Sequence, residues 1–345
     1  MPDDILTFLT KPRTMIAALR QNPTPNRFLR ETFFKNQRTH TTESVDIDIV
    51  KTKRLIAQPI NPISAAKVVE REGFVTMNTK PAYFKEKIPL RVKDLLSRQP
   101  GETIYDAATP EIRAAAIIGE DLRMLEDRFV RGEELMCAQA LFTGKIELKG
   151  EGVNSVVDFG YIPNEHEITL SGTSLWDSST ADPQKDMDTW RRMIVQRSGL
   201  SSDIAILGSD AAWAVMDNPK VKDRLDNRRI EMGQIAPSKL PRGVTYLGNL
   251  LPAGIDMYSY DEWYVDPSDG IEKPIVPGGV VLLGSTASRC EMNYGLIQNM
   301  KYPAAVPRFP SSWMEDDGSA RWLQLESAPL PNLYQADAFL VAHVL

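Results

Sequence analysis

One long amphipathic segment constrains this chain more than any other feature. It starts at Thr109, which suits an N-cap, and Pro110 and Glu111 suit the first turn of a helix. The apolar residues that follow recur at helical spacing: Ile118, Leu122, Leu125, Phe129 and Met136. The pattern predicts a helix over residues 110–142, on the order of 50 Å long. A compact domain cannot bury a helix of this length on all sides. We therefore expect this helix, which we call the spine helix, to lie across a sheet.

Composition excludes several classes of protein. The chain has 345 residues, 42% hydrophobic and 25% charged, which suits two or more folded lobes. Its formal net charge of −6 argues against a general nucleic-acid-binding surface. No apolar run approaches the roughly 20 residues of a membrane span, and no secretory signal is expected at the N terminus. Cys137 and Cys290 belong to no Cys-x-x-Cys pair. We expect two reduced, partly buried thiols, as in a protein made in a reducing cytoplasm, and a disulfide bridge between them is the alternative.

Residues 11–38 form a predicted basic arm. Seven lysines and arginines stand against one glutamate, a local charge of +6. Pro23 and Pro25 forbid a continuous helix, so we predict an arm with one short helix over residues 27–34. Such an arm either lies across neighbouring subunits or nucleic acid, or is a solvated terminus.

Two strand-like stretches enclose a long excursion. Val45 and Ile47 alternate with acids, and Ile88 and Leu90 alternate with basic residues and proline, as in strands with one buried face. The excursion between them, residues 50–87, has few large apolar side chains to bury within its own subunit. We therefore predict an extended β loop that a partner orders.

The rest of the chain is predicted to be β-rich and then mixed α/β. The predicted elements are a hairpin over 145–159, a strand over 166–170, a helix over 184–197, a strand over 204–207, a helix capped by Ser209 or Asp210, a hairpin over 256–276, and strands over 280–283, 321–330 and 338–342. A core strand at the C terminus implies a lobe completed by distant sequence.

The sequence contains no recognisable catalytic, cofactor-binding or metal-binding motif. His40, His166 and His343 have no metal-ligand spacing, and each is expected on the surface. The nucleophile elbow, the phosphate-binding loop and the dinucleotide-binding glycine pattern do not occur. The acidic turns at 266–270 and 315–318 lack the spacing of a calcium loop. We predict no catalytic, cofactor or metal site.

The order of these parts resembles the tailed-phage major capsid fold, and the closer resemblance is to the lambda-type major capsid protein (E protein) family. The segments that carry it are VKDRLDNRR at 221–229, VLLGSTA at 281–287, YGLIQ at 294–298 and ESAPL at 326–330. The resemblance implies an α+β fold with four parts. These are an N-terminal arm (1–44), an extended β loop with its base strands (45–92), a peripheral lobe (93–182 and 301–345, with the spine helix) and an α/β axial lobe (183–300).

The resemblance also implies a structural, non-catalytic function. Members form an icosahedral shell of hexamers and pentamers around packaged double-stranded DNA, commonly with scaffold, portal and sometimes decoration proteins. We expect a virion protein assembled in the bacterial host cytoplasm, with weak DNA contact and no membrane contact. The candidate intersubunit contacts are Arg27, Arg30, Arg38, Lys53, Lys67, Glu70, Arg71 and Lys80.

Three alternatives stay open at this level. One is an encapsulin-like compartment of the same fold, which would enclose a cargo enzyme and no genome. Another is a metal-dependent enzyme of an unrelated α/β class that uses the acids between Asp256 and Asp269. The third is a virion protein other than the shell, such as a tail or portal component.

Overall fold

A computed structural model describes residues 10–21, 25–50, 56–57, 59, 68, 74–97, 109–150, 152–221, 238–239, 243–250, 253–299 and 305–345. Its α helices are α1 (Pro12–Gln21), α2 (Phe28–Phe33), α3 (Val92–Leu96), α4 (Pro110–Thr143), α5 (Pro183–Ser198) and α6 (Ser209–Asp217). Short 3-10 turns occupy Gly172–Ser174 and Ala336–Ala338. The predicted arm helix and spine helix are confirmed as α2 and α4, but the arm also contains α1, which the sequence reasoning did not predict.

The strands of the first half are β1 (Asn36–Thr39), β2 (Val45–Val50), β3 (Phe74–Thr79), β4 (Phe84–Arg91), β5 (Lys145–Gly150), β6 (Val153–Asp158) and β7 (Glu167–Thr169). Those of the second half are β8 (Ile204–Leu207), β9 (Ser238–Lys239), β10 (Val244–Leu250), β11 (Ile255–Tyr260), β12 (Trp263–Val265), β13 (Glu272–Pro274), β14 (Val280–Gly284), β15 (Cys290–Tyr294), β16 (Phe309–Met314), β17 (Ala320–Ser327), β18 (Pro329–Leu333) and β19 (Phe339–His343).

The spine helix has the ends that its sequence predicts. The Thr109 hydroxyl accepts a hydrogen bond from the backbone N–H of Ile112 at 3.4 Å. Gly144 ends the helix in the left-handed conformation, with φ of 64°, and a Cβ at this position would overlap the ring of Tyr161. With 34 residues the helix is roughly 50 Å long.

The first half of the spine helix packs on a three-stranded antiparallel sheet, in the order β16-β17-β4. Its apolar stripe meets buried leucines of that sheet and the inner face of α1 in one cluster: Met15, Leu90, Leu122, Leu125, Phe129, Leu323 and Leu325. The prediction that the helix lies across a sheet is therefore confirmed.

The second half of the spine helix packs beside a seven-stranded mixed sheet, in the order β7-β19-β14-β8-β11-β10-β9. One face of this sheet packs toward the spine helix and α2, and the other is covered by α5 and α6. A second three-stranded sheet, β1-β15-β18, and the hairpins β2-β3, β5-β6 and β12-β13 complete the described fold.

The C-terminal strand β19, predicted within the peripheral lobe (93–182 and 301–345), lies between β7 of that predicted lobe and β14 of the predicted axial lobe. Strand β19 lies inside the seven-stranded sheet, antiparallel to β14 and parallel to β7. Its alternate residues enter different cores, Phe339 and Val341 on one face and Leu340 and Ala342 on the other. A strand that is apolar on both faces fits the interior of a sheet covered on both sides.

Two local predictions also differ from the structure. Helix α6 begins after Gly208 without a side-chain cap, so neither Ser209 nor Asp210 serves as the predicted cap. The hairpin predicted over 256–276 is shorter, because β11 pairs with β8 and β10 and leaves only β12 and β13 to form the hairpin.

Candidate assembly site

The arm helix α2 is attached to the spine helix by charged side chains on the buried face of the spine helix. Glu126 and Glu133 follow the core residues Leu122 and Phe129 by four positions, so they share the face that packs inward. Both glutamates are buried, as is the adjacent Glu134. Charged groups in such positions are costly unless they are paired.

Arg308 pairs two of these glutamates. Its Nε lies 2.7 Å from Oε2 of Glu126, and its Nη1 lies 2.7 Å from Oε1 of Glu133. The arm supplies the other two cations: Arg27 Nη2 is 2.9 Å from Glu126 Oε1, and Arg30 Nη1 is 3.1 Å from Glu133 Oε2. We call Arg27, Arg30, Glu126, Glu133, Glu134 and Arg308 the buried charge network. It joins the arm, the spine helix and the segment before β16.

Ionisation of Glu133 is stabilised by its partners. Burial opposes the charge, but Arg308 and Arg30 outweigh that cost and hold the pKa of Glu133 below its ordinary value. The Tyr294 hydroxyl adds a hydrogen bond of 2.9 Å to Oε1. Glu133 is therefore ionised and buried. Removing one of the arginines that pair with it is expected to destabilise the subunit.

Glu134 has a different environment. Its carboxylate accepts hydrogen bonds from the backbone N–H groups of Leu29 at 2.7 Å and Arg30 at 3.2 Å, at the N-terminus of α2. The Tyr260 hydroxyl donates a third, at 3.0 Å. Burial raises the pKa of Glu134 to about 7, despite these three donors. Glu134, which belongs to the spine helix, thus caps the N-terminus of the arm helix α2.

The structure separates the predicted intersubunit contacts into three groups. Arg27 and Arg30 lie in the buried charge network. Arg38 and Lys80 keep largely exposed side chains, and they pair with Glu291 at 3.1 Å and with Glu43 at 2.7 Å. Four candidates fall outside the described residues: Lys53, Lys67, Glu70 and Arg71.

Sequence reasoning missed the acidic half of the buried charge network and Arg308. A signal for the glutamates was present, because Glu126 and Glu133 stand at i+4 from apolar residues of the stripe and interrupt its inner face. No comparable signal marks Arg308, whose two glutamate partners are more than 170 residues away in sequence.

Large apolar side chains are exposed at several places outside the buried charge network. Trp213 on α6 is 75% exposed, and Trp263 on β12 is 55% exposed. Val265 lies on the same face of β12 as Trp263 and is also exposed. Exposed tryptophans next to other apolar groups are typical of surfaces that bind another protein.

The three histidines all contact other side chains of the same subunit. No group of three histidine, cysteine or acidic side chains that could hold a metal ion is found among the described residues. His40 and His343 pair with Asn293 and Glu167. His166, expected on the surface, is buried, because its Nδ1 accepts the Ile162 N–H at 3.1 Å and its Nε2 lies 3.0 Å from Asp337.

Two other features of the described residues bear on the expected class of protein. Cys137 and Cys290 are free thiols, as predicted, but both are fully buried instead of partly buried. Among the described helices, none combines the length and the apolar character that a membrane span requires.

Comparison with known proteins identifies the relatives of this chain. The model of the family described as phage major capsid protein E matches residues 11–344. The major capsid protein of Escherichia phage lambda is 30% identical over 325 residues, 91% of this chain and 92% of the lambda protein. The P21 prophage-derived major head protein of Escherichia coli O6:H1 is 30% identical over 329 residues, 91% of this chain and 93% of that protein.

Solved structures agree on the fold. The putative capsid protein of a prophage of E. coli CFT073 superposes with a TM-score of 0.72 at 18% identity, over 97% of this chain and 99% of that one. The mature capsid of bacteriophage PhiM1 gives a TM-score of 0.53 at 9% identity, over 94% and 88%. The predicted α+β tailed-phage capsid fold is confirmed, and the chain belongs to the phage major capsid protein E family.

Proposed function

We propose that this chain is the major head protein of a tailed phage or prophage, and that it self-assembles into an icosahedral shell of hexamers and pentamers around packaged double-stranded DNA. The observation that carries the proposal is the match of the family model to residues 11–344, nearly the whole chain. The relatives with this family's fold are structural proteins, so we assign the chain no catalytic role.

The physical character of the chain supports assembly. Hairpins of two strands are marginally stable alone, and the described residues contain three of them, β2-β3, β5-β6 and β12-β13. Their exposed apolar residues, such as Trp263 and Val156, gain burial only from a partner. In a shell, the stabilisation from many modest contacts of this kind adds up over the closed surface.

We also propose the parts that make these contacts. The N-terminal arm (1–44) and the extended β loop (45–92) would reach neighbouring subunits, with the peripheral lobe beneath them and the axial lobe at capsomer centres. Arg38 and Lys80, together with the four loop candidates Lys53, Lys67, Glu70 and Arg71, are the proposed intersubunit residues. Arg27 and Arg30 would act on the same contacts indirectly, because they fix the arm helix to its own subunit.

The other partners follow from the same proposal. A scaffold protein and a portal would direct assembly in the host cytoplasm, and a decoration protein would bind the finished shell in some cases. The final location is the virion. The net charge of −6 supports weak contact with the packaged DNA, because phosphate attraction grows with the number of cationic contacts.

Electron microscopy and sedimentation of the full chain, expressed alone and with its neighbouring genes, test this proposal. Closed shells, tubes or capsomer rings are expected. Shells that contain a cargo enzyme and no nucleic acid would favour an encapsulin-like compartment. A compact monomer under every condition would overturn the shell function.

Deleting residues 58–79 tests the extended loop. The variant should fold and remain soluble but fail to close shells, because it lacks the loop that is proposed to contact a neighbouring subunit. Circular dichroism melting controls for folding, and Lys80→Ala serves as a milder change at the exposed base of the loop. Normal particles from the deletion would contradict the role of the loop.

A further inference from the structure

Two of the segments that carry the family resemblance meet beside the hairpin β2-β3. They are YGLIQ (294–298) and ESAPL (326–330), which are separate in sequence. The N–H of Gly295 in the first segment donates to the carbonyl of Ala328 in the second at 2.9 Å. We call these two segments, together with Asn299, the loop socket, because they contact both connections to the hairpin.

The loop socket holds the connection that enters the hairpin. The His40 N–H donates to the Tyr294 carbonyl at 2.8 Å, and the Leu296 N–H donates to the Thr42 carbonyl at 3.2 Å. These bonds extend the parallel pairing of β1 with β15 beyond the end of β1. The chain therefore approaches β2 along a path set by the backbone of the socket.

The connection that leaves the hairpin is held by both segments of the socket. The Ala82 N–H donates to the Pro329 carbonyl at 3.2 Å. The next residue, Tyr83, donates its hydroxyl to Oε2 of Glu326 at 2.5 Å, and the same hydroxyl accepts the Gln298 N–H at 3.2 Å. One phenol thus bonds the end of the hairpin to both segments.

The carboxylate that receives the Tyr83 hydroxyl is itself held in place. Glu326 is 0% exposed, and it also accepts hydrogen bonds from the Asn299 amide at 3.2 Å and from the Gln324 amide. Hydrogen bonds to a buried carboxylate are among the stronger ones in proteins. The bond between Tyr83 and Glu326 is therefore suited to fix the direction of the hairpin relative to the body of the subunit.

Gly295 allows the outgoing connection to lie against the socket. A Cβ at this position would stand 2.9 Å from Cγ of Pro81, which is closer than side chains pack. The φ of Gly295 is not positive, so conformational freedom does not explain the glycine. Because the proline ring cannot rotate aside, a side chain at residue 295 would displace the outgoing connection.

We propose that the loop socket sets the direction in which the extended β loop leaves the subunit, and that Tyr83, Gly295 and Glu326 are positioning residues for the contact between neighbouring subunits. The inference rests on the proposed function, in which this loop reaches a neighbour. It gives the two resemblance segments a role in assembly that does not require them to touch another subunit.

A small rotation at the socket has a large effect at the other end of the hairpin. Strands β2 and β3 have six residues each, so the described hairpin is roughly 20 Å long. A rotation of about 10° at one end then moves the other end by about 3.5 Å. That displacement is close to the distance of roughly 4 Å over which apolar side chains make contact. A change in the socket can therefore break a contact with a neighbouring subunit.

Tyr83→Phe tests the proposal, because it removes the hydroxyl and keeps the ring. Under conditions in which the wild-type chain forms shells, the variant should need about tenfold more protein to assemble, measured by light scattering over a concentration series. Tyr246→Phe is the matched control, because its hydroxyl also donates to a carboxylate, Asp256 at 3.0 Å, but in the seven-stranded sheet. It should assemble as wild type does. Calorimetry of unassembled subunits measures the loss of Tm in both variants.

Failure of the socket and failure of the shell function give different results. The expected result is a similar loss of Tm in both variants and an assembly defect in Tyr83→Phe alone. Equal assembly of the two variants, or defects that follow the loss of Tm in both, would overturn the positioning role and leave the shell function standing. Wild-type subunits that form no shells under any condition would overturn the proposed function and the inference with it.

Gly295→Ala gives an independent test through a different contact. It should weaken assembly because its Cβ displaces Pro81, and Pro81→Ala should remove that effect, because only the Cβ of residue 81, at 3.6 Å, remains. Assembly is compared for wild type, the two single variants and the double variant. The same loss from Gly295→Ala with and without the proline ring would overturn the proposed action of the socket on the outgoing connection.

Discussion

Replacing Arg308 by methionine is the sharpest test of the buried charge network. The variant keeps an unbranched apolar stem beside Phe129 but removes the guanidinium that joins Glu126 and Glu133 at 2.7 Å each. Glu133, whose side chain is 1% exposed, is left with Arg30 as its remaining cation. Removing one partner of a buried ion pair costs about 3–5 kcal/mol, because the other charge stays buried.

The expected loss converts into a measurable shift in melting temperature. At roughly 2.1 cal/mol/K per residue, a chain of 345 residues has an unfolding entropy of about 0.7 kcal/mol/K. A loss of about 4 kcal/mol then lowers Tm by roughly 5–6 °C. Calorimetry of unassembled subunits at pH 8 measures this shift without a contribution from subunit contacts.

Arg128→Met is the matched control for Arg308→Met. Arg128 lies on the same helix and pairs with Glu86 at 2.6 Å, but its side chain is 60% exposed. Exposed pairs of this kind contribute about 0–1 kcal/mol. If the two variants lose similar stability, then burial does not make the network important and the reasoning fails.

The acid dependence of the Arg308→Met variant gives a second readout. The pKa of Glu133 lies below its ordinary value of 4.5, so its contribution to stability is present above that pH and is lost as the pH falls. Without Arg308 this loss should shrink. The double variant Arg308→Met with Glu133→Gln should recover part of the stability, because it leaves no unpaired charge at that position.

Three further substitutions test the fold and the arm. Gly144→Ala should lower Tm by several degrees, because its φ of 64° and the Tyr161 ring leave no room for a Cβ; an unchanged melting curve would contradict the described helix end. Arg30→Gln should destabilise the unassembled subunit more than Arg38→Gln, since their side chains are 15% and 57% exposed; equal losses in urea unfolding would refute this. Leu125→Pro should lower the free energy of unfolding by ~3 kcal/mol or more, because proline breaks the interior of the spine helix; circular dichroism melting measures this loss.

The elements of this fold that local sequence specifies were predicted well. Thr109, Pro110 and Gly144 set the ends of the spine helix, and period-two alternation located β2 and β4. These signals depend on residues within a few positions of one another, where backbone propensity and side-chain periodicity act directly.

Pairings between distant segments were beyond such reasoning. The position of β19 between β7 and β14 depends on contacts with residues 280–284 and 167–169, and alternation within β19 does not reveal them. His166 was expected on the surface because a lone histidine carries no sign of its partners, yet Asp337 lies 171 positions away. The buried charge network likewise joins residues that are distant in sequence, and the sequence around Arg308 gives no sign of its glutamate partners.

The basic arm shows how distant partners change the function inferred from composition. Its seven cations suggest a strong nucleic-acid contact when they are counted along the chain. Three of them, Arg27, Arg30 and Arg38, pair with glutamates of their own subunit. Counterion release gives a slope of log K against log salt of about −0.9 per phosphate contact. If these three arginines do not contact phosphate, the slope of any contact between the arm and duplex DNA is shallower by about 2.7 than the value of about −6.3 that seven cations would give.

Salt titration of DNA binding by the unassembled subunit measures this slope, and Arg27→Gln with Arg30→Gln provides the comparison. The variant should keep the wild-type slope, because neither arginine is free to neutralise a phosphate while it holds Glu126 or Glu133. A wild-type slope steeper than about −5, reduced by about 2 in the variant, would mean that the arginines leave the spine helix for DNA. In that case the arm would be a nucleic-acid contact. The expected result makes it a structural tether in which Arg27 and Arg30 are held by glutamates of their own subunit.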